Sequence, residues 1–135
     1  MRAMSRFTIK NLKDVEDSAG ERMPGVEGRF ARKYLDSEHL GISYFRYGPG
    51  VRSPMAHSHR EQEEAYVVVG GSGQMRIDDE VHSIGQWDVI RVSPEAVRAF
   101  EGGENGLELI AVGSDRPEGG DGVIAPSAWI DELEE

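Results

Sequence analysis

Hydrophobic residues fall in short runs along this chain, separated by segments rich in glycine, proline or charged residues. No long stretch keeps the i, i+3, i+4, i+7 spacing of an amphipathic helix. The runs therefore predict short β-strands. We place these strands at residues 7–10, 29–35, 40–47, 55–59, 64–69, 74–78, 88–92, 97–100 and 107–112. Many short strands fit a closed barrel or a two-sheet jelly roll, which makes the expected class all-β.

Residues suited to tight turns separate the predicted strands. We expect the glycines at 70, 71 and 73 to close a hairpin and Gly102-Gly103 to break another pair of strands. The polar segment 11–28 shows no clear period, which predicts a covering loop or a short helix. Two conformations stay open for the C-terminal part: an extended segment anchored by Trp129, or a short helix capped by Ser127.

The length of 135 residues predicts a single domain spanning 1–135, with a barrel core at about 29–112 and an acidic tail at 113–135. The formal net charge of −10 argues against binding to nucleic acid or to an anionic membrane surface. Residues 101–135 hold ten acidic side chains and one basic one, Arg116, whereas residues 1–100 are nearly balanced. The acidity therefore describes the tail more than the barrel.

The absence of cysteine excludes disulfides, thiolate metal sites and cysteine nucleophiles. No apolar stretch approaches the roughly 18 residues of a membrane span, and the first ten residues lack the apolar core of a signal peptide. We therefore expect a cytoplasmic protein.

The segment from His57 to Glu64 holds the densest group of residues suited to chemistry, and an apolar run at 65–69 follows it. Alternate side chains of a strand share a face, so His57 and His59 should project together. A turn through 60–63 would bring Glu64 beside them. Two histidines and one carboxylate form a site of the kind that binds iron, manganese or zinc. The alternative interpretation is that both histidines are polar residues at a barrel mouth.

This segment resembles the first motif of the cupin superfamily: a glycine, five residues, H-x-H, three or four residues, E, six residues and G. His57, His59, Glu64 and Gly71 match its spacing, whereas Val51 stands at the leading glycine. The resemblance implies a cupin jelly-roll barrel, also called a double-stranded β-helix. It also implies a metal, iron, manganese, zinc or nickel, on His57, His59 and Glu64.

The second cupin motif would lie between residues 86 and 103, but its characteristic residues are replaced. Trp87 stands at its first glycine and Arg98 at its histidine, and no histidine follows residue 82. A fourth histidine ligand is therefore missing from this half. In the first half of the barrel the resemblance rests on motif residues, whereas in the second half it rests on the architecture.

Arg98 leaves two models open because a guanidinium keeps its charge at physiological pH. In the first model His57, His59 and Glu64 hold a metal, and Arg98 turns away or binds an anionic substrate on it. In the second model Arg98 pairs with Glu64 and the site holds no metal.

Strand alternation also assigns the two faces of the segment after Glu64. If Glu64 points into the barrel, so do Tyr66 and Val68, while Ala65, Val67 and Val69 point outward. Because this outward face is apolar too, it should be covered by the terminal segments or by a second copy in a homodimer.

Two functional hypotheses follow. In the first, the protein binds a small organic ligand in the barrel, an anionic one in particular, through Arg98, Tyr66, His57 and His59. The alternative is a metal-dependent cupin enzyme of the dioxygenase or isomerase type that uses His57, His59 and Glu64. A module that only binds partner proteins is a third class. The sequence assigns no catalytic residue, substrate or reaction.

Overall fold

The computed structural model describes residues 6–127 and Trp129. Its strands form one curled sheet, which confirms the all-β barrel predicted above. The strands are β1 (Val26–Phe30), β2 (Gly41–Tyr47), β3 (Met55–His59), β4 (Glu64–Ile77), β5 (Glu80–Gly85), β6 (Val89–Val92), β7 (Arg98–Gly113) and β8 (Gly122–Pro126). A single 3₁₀ turn at Leu12–Asp14 lies in the segment expected to be a loop or short helix.

The two longest strands, β4 and β7, form the frame of the barrel. They pair antiparallel along most of their lengths, and β7 also pairs with β2. Strand β3 lies between β7 and β8, while β5 and β6 pair with the two halves of β4. The sheet therefore extends beyond the expected 29–112 core, from β1 to β8.

The predicted strand ends at 70–73 and 102–103 are wrong, because both segments lie inside the long strands β4 and β7. The pairing of β4 with β7 shifts register at this place, so the glycines accommodate an irregularity in a continuous ladder. A Cβ atom at Gly73 would overlap the carbonyl oxygen of Glu101. These glycines allow two backbones to approach closely, and they do not close a hairpin.

Other strand predictions need smaller corrections. Residues 7–10 lie outside the sheet, and Ile9 is 87% exposed there. The strand predicted at 29–35 begins at Val26 and ends at Phe30. Strand β5 was missed because its sequence, Glu80–Gly85, is largely polar and exposed. The hairpin that joins it to β4 turns at Asp78, which has a φ of 53°.

The interior of the barrel is apolar, and its residues alternate along the strands as expected. Tyr66 and Val68 are buried, while Ala65, Val67 and Val69 on the opposite face of β4 are half-buried. This confirms the predicted assignment of the two faces of the strand. The main core cluster consists of Ala19, Val26, Tyr47, Tyr66, Val68, Met75, Ile84, Val92, Phe100, Leu107, Leu109 and Ala111.

The C-terminal part adopts the extended alternative as far as the structure describes it. Strand β8 pairs with β3, and Ser127 donates a hydrogen bond to the carbonyl of Ser53. Trp129 is buried and packs against Ala56 and Ala99, as a packing anchor would. Ala128 and residues 130–135, where the alternative helix would continue, lie outside the described residues. Within the described chain, no helix is long and apolar enough to span a membrane.

Candidate functional site

Three strands bring the predicted site residues to one place. His57 and His59 lie on β3, Glu64 begins β4, and Arg98 begins β7 directly opposite His57. The turn between β3 and β4 returns the chain as expected, so that Glu64 faces both histidines. Tyr66 lies two residues further along β4 and projects from the same face.

One carboxylate oxygen, Oε1 of Glu64, is the centre of the cluster. It lies 3.3 Å from Nε2 of His57 and 3.1 Å from Nε2 of His59. The hydroxyl of Tyr66 donates to it at 2.7 Å, and Nη2 of Arg98 donates to it at 3.2 Å. The structure thus brings together all five residues named from the sequence.

Arg98 is completely buried and fixed by acceptors on several sides. Its Nη1 donates to the carbonyls of Pro94 at 3.1 Å and Ala96 at 2.7 Å, and its Nε donates to the Tyr66 hydroxyl at 3.3 Å. With Glu64 on Nη2, the guanidinium is held in place rather than turned away. The Arg98–Glu64 contact of the second model is therefore present.

The contacts of Glu64 favour its ionised form. Burial alone would raise the pKa of this carboxyl, but hydrogen bonds from His57, His59 and Tyr66 outweigh burial and hold the pKa well below its usual range. Glu64 in turn raises the pKa of His59 against the effect of burial. Burial, with the nearby Glu64 charge, raises the pKa of Tyr66, so this hydroxyl stays protonated and can donate.

Asp121 belongs to the site although it lies in the segment expected to form an acidic tail. Its Oδ1 lies 2.9 Å from Nδ1 of His59, and its Oδ2 accepts hydrogen bonds from the backbone N–H groups of Glu61 at 2.8 Å and Gln62 at 2.7 Å. Burial opposes its ionisation, but these bonds lower the pKa of Asp121 to about 2. An ionised Asp121 accepts a hydrogen bond from the Nδ1–H group of His59, which leaves Nε2 directed at Glu64.

A cavity of about 360 Å³ opens beside this cluster. Its volume falls in the range of small-molecule sites in proteins. Most of its wall is apolar, and the polar groups of the cluster occupy one part of the wall. The apolar lining residues are Met23, Phe30, Ile42, Phe45, Tyr47, Met55, Ala56, Ala99, Phe100, Ala111 and Ile124.

No protein-family model matches this chain, and no curated protein does. Solved structures do match its fold. A cupin protein from Bacteroides fragilis superposes with a TM-score of 0.68 at 18% identity, over 83% of this chain and 86% of its own. KdgF from Halomonas sp. gives 0.64 at 17% identity, over 86% and 98%. This chain has the cupin fold.

Oxalate decarboxylase from Bacillus subtilis also superposes, with a TM-score of 0.69 at 21% identity. The match covers 88% of this chain but 32% of the decarboxylase, so this cupin barrel spans about a third of that protein. At these identities the likeness concerns the fold.

The cupin motif positions explain two unusual residues. Arg98 occupies the direction of the second-motif histidine, since it contacts Glu64 and pairs with His57. Trp87 stands at the first glycine of that motif and has a φ of 73°, in the left-handed region that glycine adopts without strain.

The donors of the cluster fit a transition metal. One ligand atom each from His57, His59 and Glu64 lies within 4.8 Å of the others. Imidazole nitrogens and a carboxylate oxygen suit iron, manganese, nickel or zinc, and three protein ligands leave open positions. Arg98 acts against the metal, because its positive charge rests on the same oxygen of Glu64.

The other two histidines and Arg91 lie at the surface. His39 is 73% exposed beside Asp115, and His82 is 54% exposed. Arg91 points to solvent and pairs with Glu63 at 3.0 Å. None of these side chains lines the cavity described above.

Proposed function

We propose that the protein binds a small organic molecule in the barrel cavity. The observation that carries this proposal is the cavity itself, with an apolar wall and one group of polar residues on it. An apolar wall binds the body of a ligand through burial, and a few polar groups fix its orientation.

His57 and His59 supply the polar contacts of this proposed site. Both line the cavity, and the side chain of His57 is 35% exposed, which leaves its edge accessible to a ligand. Tyr66 and Arg98 also line it, but both already donate to Glu64. They support the ligand site by holding the carboxylate ionised and in position.

A thermal-shift screen tests this function. The panel contains aliphatic and aromatic carboxylates, oxalate, which appears in the name of one structural neighbour, and neutral sugars. A ligand that binds the folded state raises its melting temperature. We expect stabilisation by at least one compound, its loss in His57→Gln and its persistence in His82→Gln. A flat response of the wild-type protein to the whole panel would contradict the proposal.

A metal-dependent enzyme, such as a dioxygenase or isomerase, is the second candidate function. The convergence of His57, His59 and Glu64 favours it. A bound metal would supply a Lewis acid with open positions for substrate. The chain would hold it through these three ligands, with Asp121 orienting His59 through Nδ1.

Metal analysis of untagged protein after reconstitution with iron, manganese, nickel or zinc tests this second function. A metal centre predicts one equivalent that is retained on dialysis and is lost in the double variant His57→Ala, His59→Ala. His39→Ala with His82→Ala is the matched control. Failure to retain any of the four metals would rule the metal centre out.

A further inference from the structure

Arg32 lines the same cavity as the histidine cluster, although no sequence motif singles it out. Its guanidinium lies over Gly41, where a Cβ atom would be 2.8 Å from Nη2. Nη2 also donates to the carbonyl of Ser114 at 3.4 Å. Among residues 6–127 and Trp129, no carboxylate forms an ion pair with Arg32.

Strand pairing places Arg32 on the inner face of the barrel. Gly41 pairs with Gly113 across β2 and β7, and Gly113 pairs with Glu64 across β7 and β4. Residues directly opposite each other in antiparallel strands project from the same face. The guanidinium over Gly41 therefore shares a face with the Glu64 carboxylate, about 10 Å away across two strand spacings.

Gln62 completes a polar row along this edge of the cavity. Its amide lies over Gly113, between the positions of Arg32 and Glu64, and donates to the carbonyl of Ser114 at 2.8 Å. The row gives a ligand two kinds of contact: the cation of Arg32 at one end and the histidines beside Glu64 at the other. A ligand would need to span about 10 Å to reach both ends of the row, whereas a shorter one would contact only one end.

Arg116 is a second cation of the cavity lining, and because its side chain is exposed we place it at the rim of the cavity. It lines the cavity and follows Ser114, whose carbonyl contacts Arg32, by two residues. In the described chain it has no carboxylate partner either. Among the residues that the structure describes, the cavity lining thus contains Arg32, Arg98 and Arg116 against a single carboxylate, Glu64.

Arg98 and Glu64 neutralise each other, since Nη2 of Arg98 contacts Oε1 of Glu64. The cations of Arg32 and Arg116 therefore stay uncompensated within the lining, in a chain with a net charge of −10. Arginine binds carboxylates and phosphates through paired N–H donors. An apolar cavity with two such groups at its rim suits an organic acid with an apolar body.

We infer that Arg32 and Arg116 bind the carboxylate of an organic acid whose apolar body lies against the cavity wall. This inference rests on the proposed ligand-binding function and names its ligand class. It places the anion at the rim rather than on Arg98, whose donors already serve Glu64, Tyr66 and two backbone carbonyls.

Calorimetric titrations with benzoate, benzamide and phenyl phosphate test the inference. They compare the wild-type protein with the double variant Arg32→Gln, Arg116→Gln. Arg91→Gln is the matched control, because Arg91 is exposed and lies outside the cavity lining. Thermal melts of each variant check that the fold is retained.

We expect the double variant to bind benzoate at least about tenfold more weakly, since one charge-assisted pair accounts for a factor of this size. Benzamide, which has the same shape without the charge, should bind the wild-type protein weakly and the variant equally. Equal benzoate affinity in the wild-type protein and the double variant would overturn the role of the arginines but leave the ligand site intact. Stronger binding of phenyl phosphate than of benzoate would overturn the carboxylate assignment. If the wild-type protein binds no probe here and no compound of the thermal-shift panel, the proposed function fails as well.

Discussion

Arg98 shows how a buried charge is retained in this barrel. Its side chain is fully buried, and Glu64, Tyr66, Pro94 and Ala96 all accept hydrogen bonds from it. A buried cation costs several kcal/mol unless its partners compensate it. The contacts here supply both a counter-charge and neutral acceptors, so Arg98 stabilises the ionised form of Glu64.

Arg98→Ala should therefore lower the free energy of unfolding by about 3 kcal/mol or more, because it leaves the Glu64 carboxylate without its counter-charge. Urea unfolding at neutral pH measures this loss. Arg91→Ala, at an exposed ion pair, is the control and should change stability by less than about 0.5 kcal/mol. Equal losses in the two variants would show that the buried pair contributes little.

Arg98→His tests the metal site at the same position. The substitution removes the cation and adds an imidazole where the second cupin motif has its histidine. If His57, His59 and Glu64 form a metal site, we expect zinc to bind this variant at least about tenfold more tightly than the wild-type protein. Equilibrium dialysis measures the affinity. Unchanged or weaker binding in a folded variant would show that Arg98 does not limit metal binding.

The residues of the cluster could be predicted from local patterns, with one exception. The H-x-H spacing and strand alternation placed His57, His59 and Tyr66 on the correct faces. Asp121 could not be found in this way, because it contacts His59 across 62 residues and precedes a strand, β8, that the sequence left open. Its acidic surroundings in sequence suggested a solvated residue, whereas strand pairing buries it.

At the level of elements, β4 and β7 show why glycine runs were mistaken for turns. Glycine is frequent both in tight turns and where two backbones approach closely, and sequence alone does not separate these uses. Gly71 has a φ of 67°, and a side chain there would also overlap the carbonyl of Gly106. Tertiary pairing, absent from any local pattern, makes each strand continuous.

Gly73→Ala should lower the free energy of unfolding by about 3 kcal/mol, because its Cβ atom would overlap the backbone oxygen of Glu101. Gly85→Ala is the matched control, since no atom lies within 4 Å of the added Cβ. Chemical denaturation measures the free energy of unfolding of both variants. If Gly73→Ala left the free energy of unfolding unchanged, the spacing between β4 and β7 could widen at little cost.

The N-terminal segment is joined to β1 by Asp17, whose Oδ1 accepts backbone hydrogen bonds from Gly28 at 3.0 Å, Ala19 at 2.9 Å and Gly20 at 3.2 Å. These bonds, with that of Gly28 foremost, hold the pKa of Asp17 below its ordinary value of 3.8. Because the pKa of Asp17 is lower in the folded state, the ionised carboxylate stabilises the fold at pH values above its ordinary pKa. This stabilisation disappears as the pH falls through the folded-state pKa.

Asp17→Asn should therefore lower stability by about 1 kcal/mol at neutral pH, a small effect because solvent screens the site. The difference from the wild-type protein should narrow as the pH falls below 3.8. Urea unfolding across the pH range measures it, with Asp14→Asn as a control on the same segment. A difference that stays constant with pH would contradict the role of the charge.

At the scale of the whole molecule, the predicted homodimer would use the outward face of β4 and β6. Val67 pairs in register with Val89, which is 66% exposed, and Trp87 nearby is 72% exposed. Light scattering of the wild-type protein should give twice the mass of one chain. Val89→Lys would place a charge in the interface, so the measured mass should fall towards that of a single chain. A wild-type protein that stays monomeric at high concentration would show this prediction to be wrong.

Charge is also distributed unevenly over the molecule. The chain as a whole is acidic, and residues 101–135 carry most of that charge. The described part of the cavity lining nevertheless contains three arginines and one glutamate. The sequence could predict the acidic tail, but not the cationic rim, because Arg32 and Arg116 are far apart in sequence and line the same cavity only in the folded chain.

Histidine side-chain NMR tests the central claim, an organic acid bound in the cavity, most directly. His57 and His59 line the cavity, whereas His39 and His82 are exposed and serve as internal references. On titration with benzoate, we predict saturable shifts of the His57 and His59 imidazole signals and constant signals from the other two. Unchanged signals from His57 and His59, or equal shifts of all four, would contradict a ligand site in the barrel.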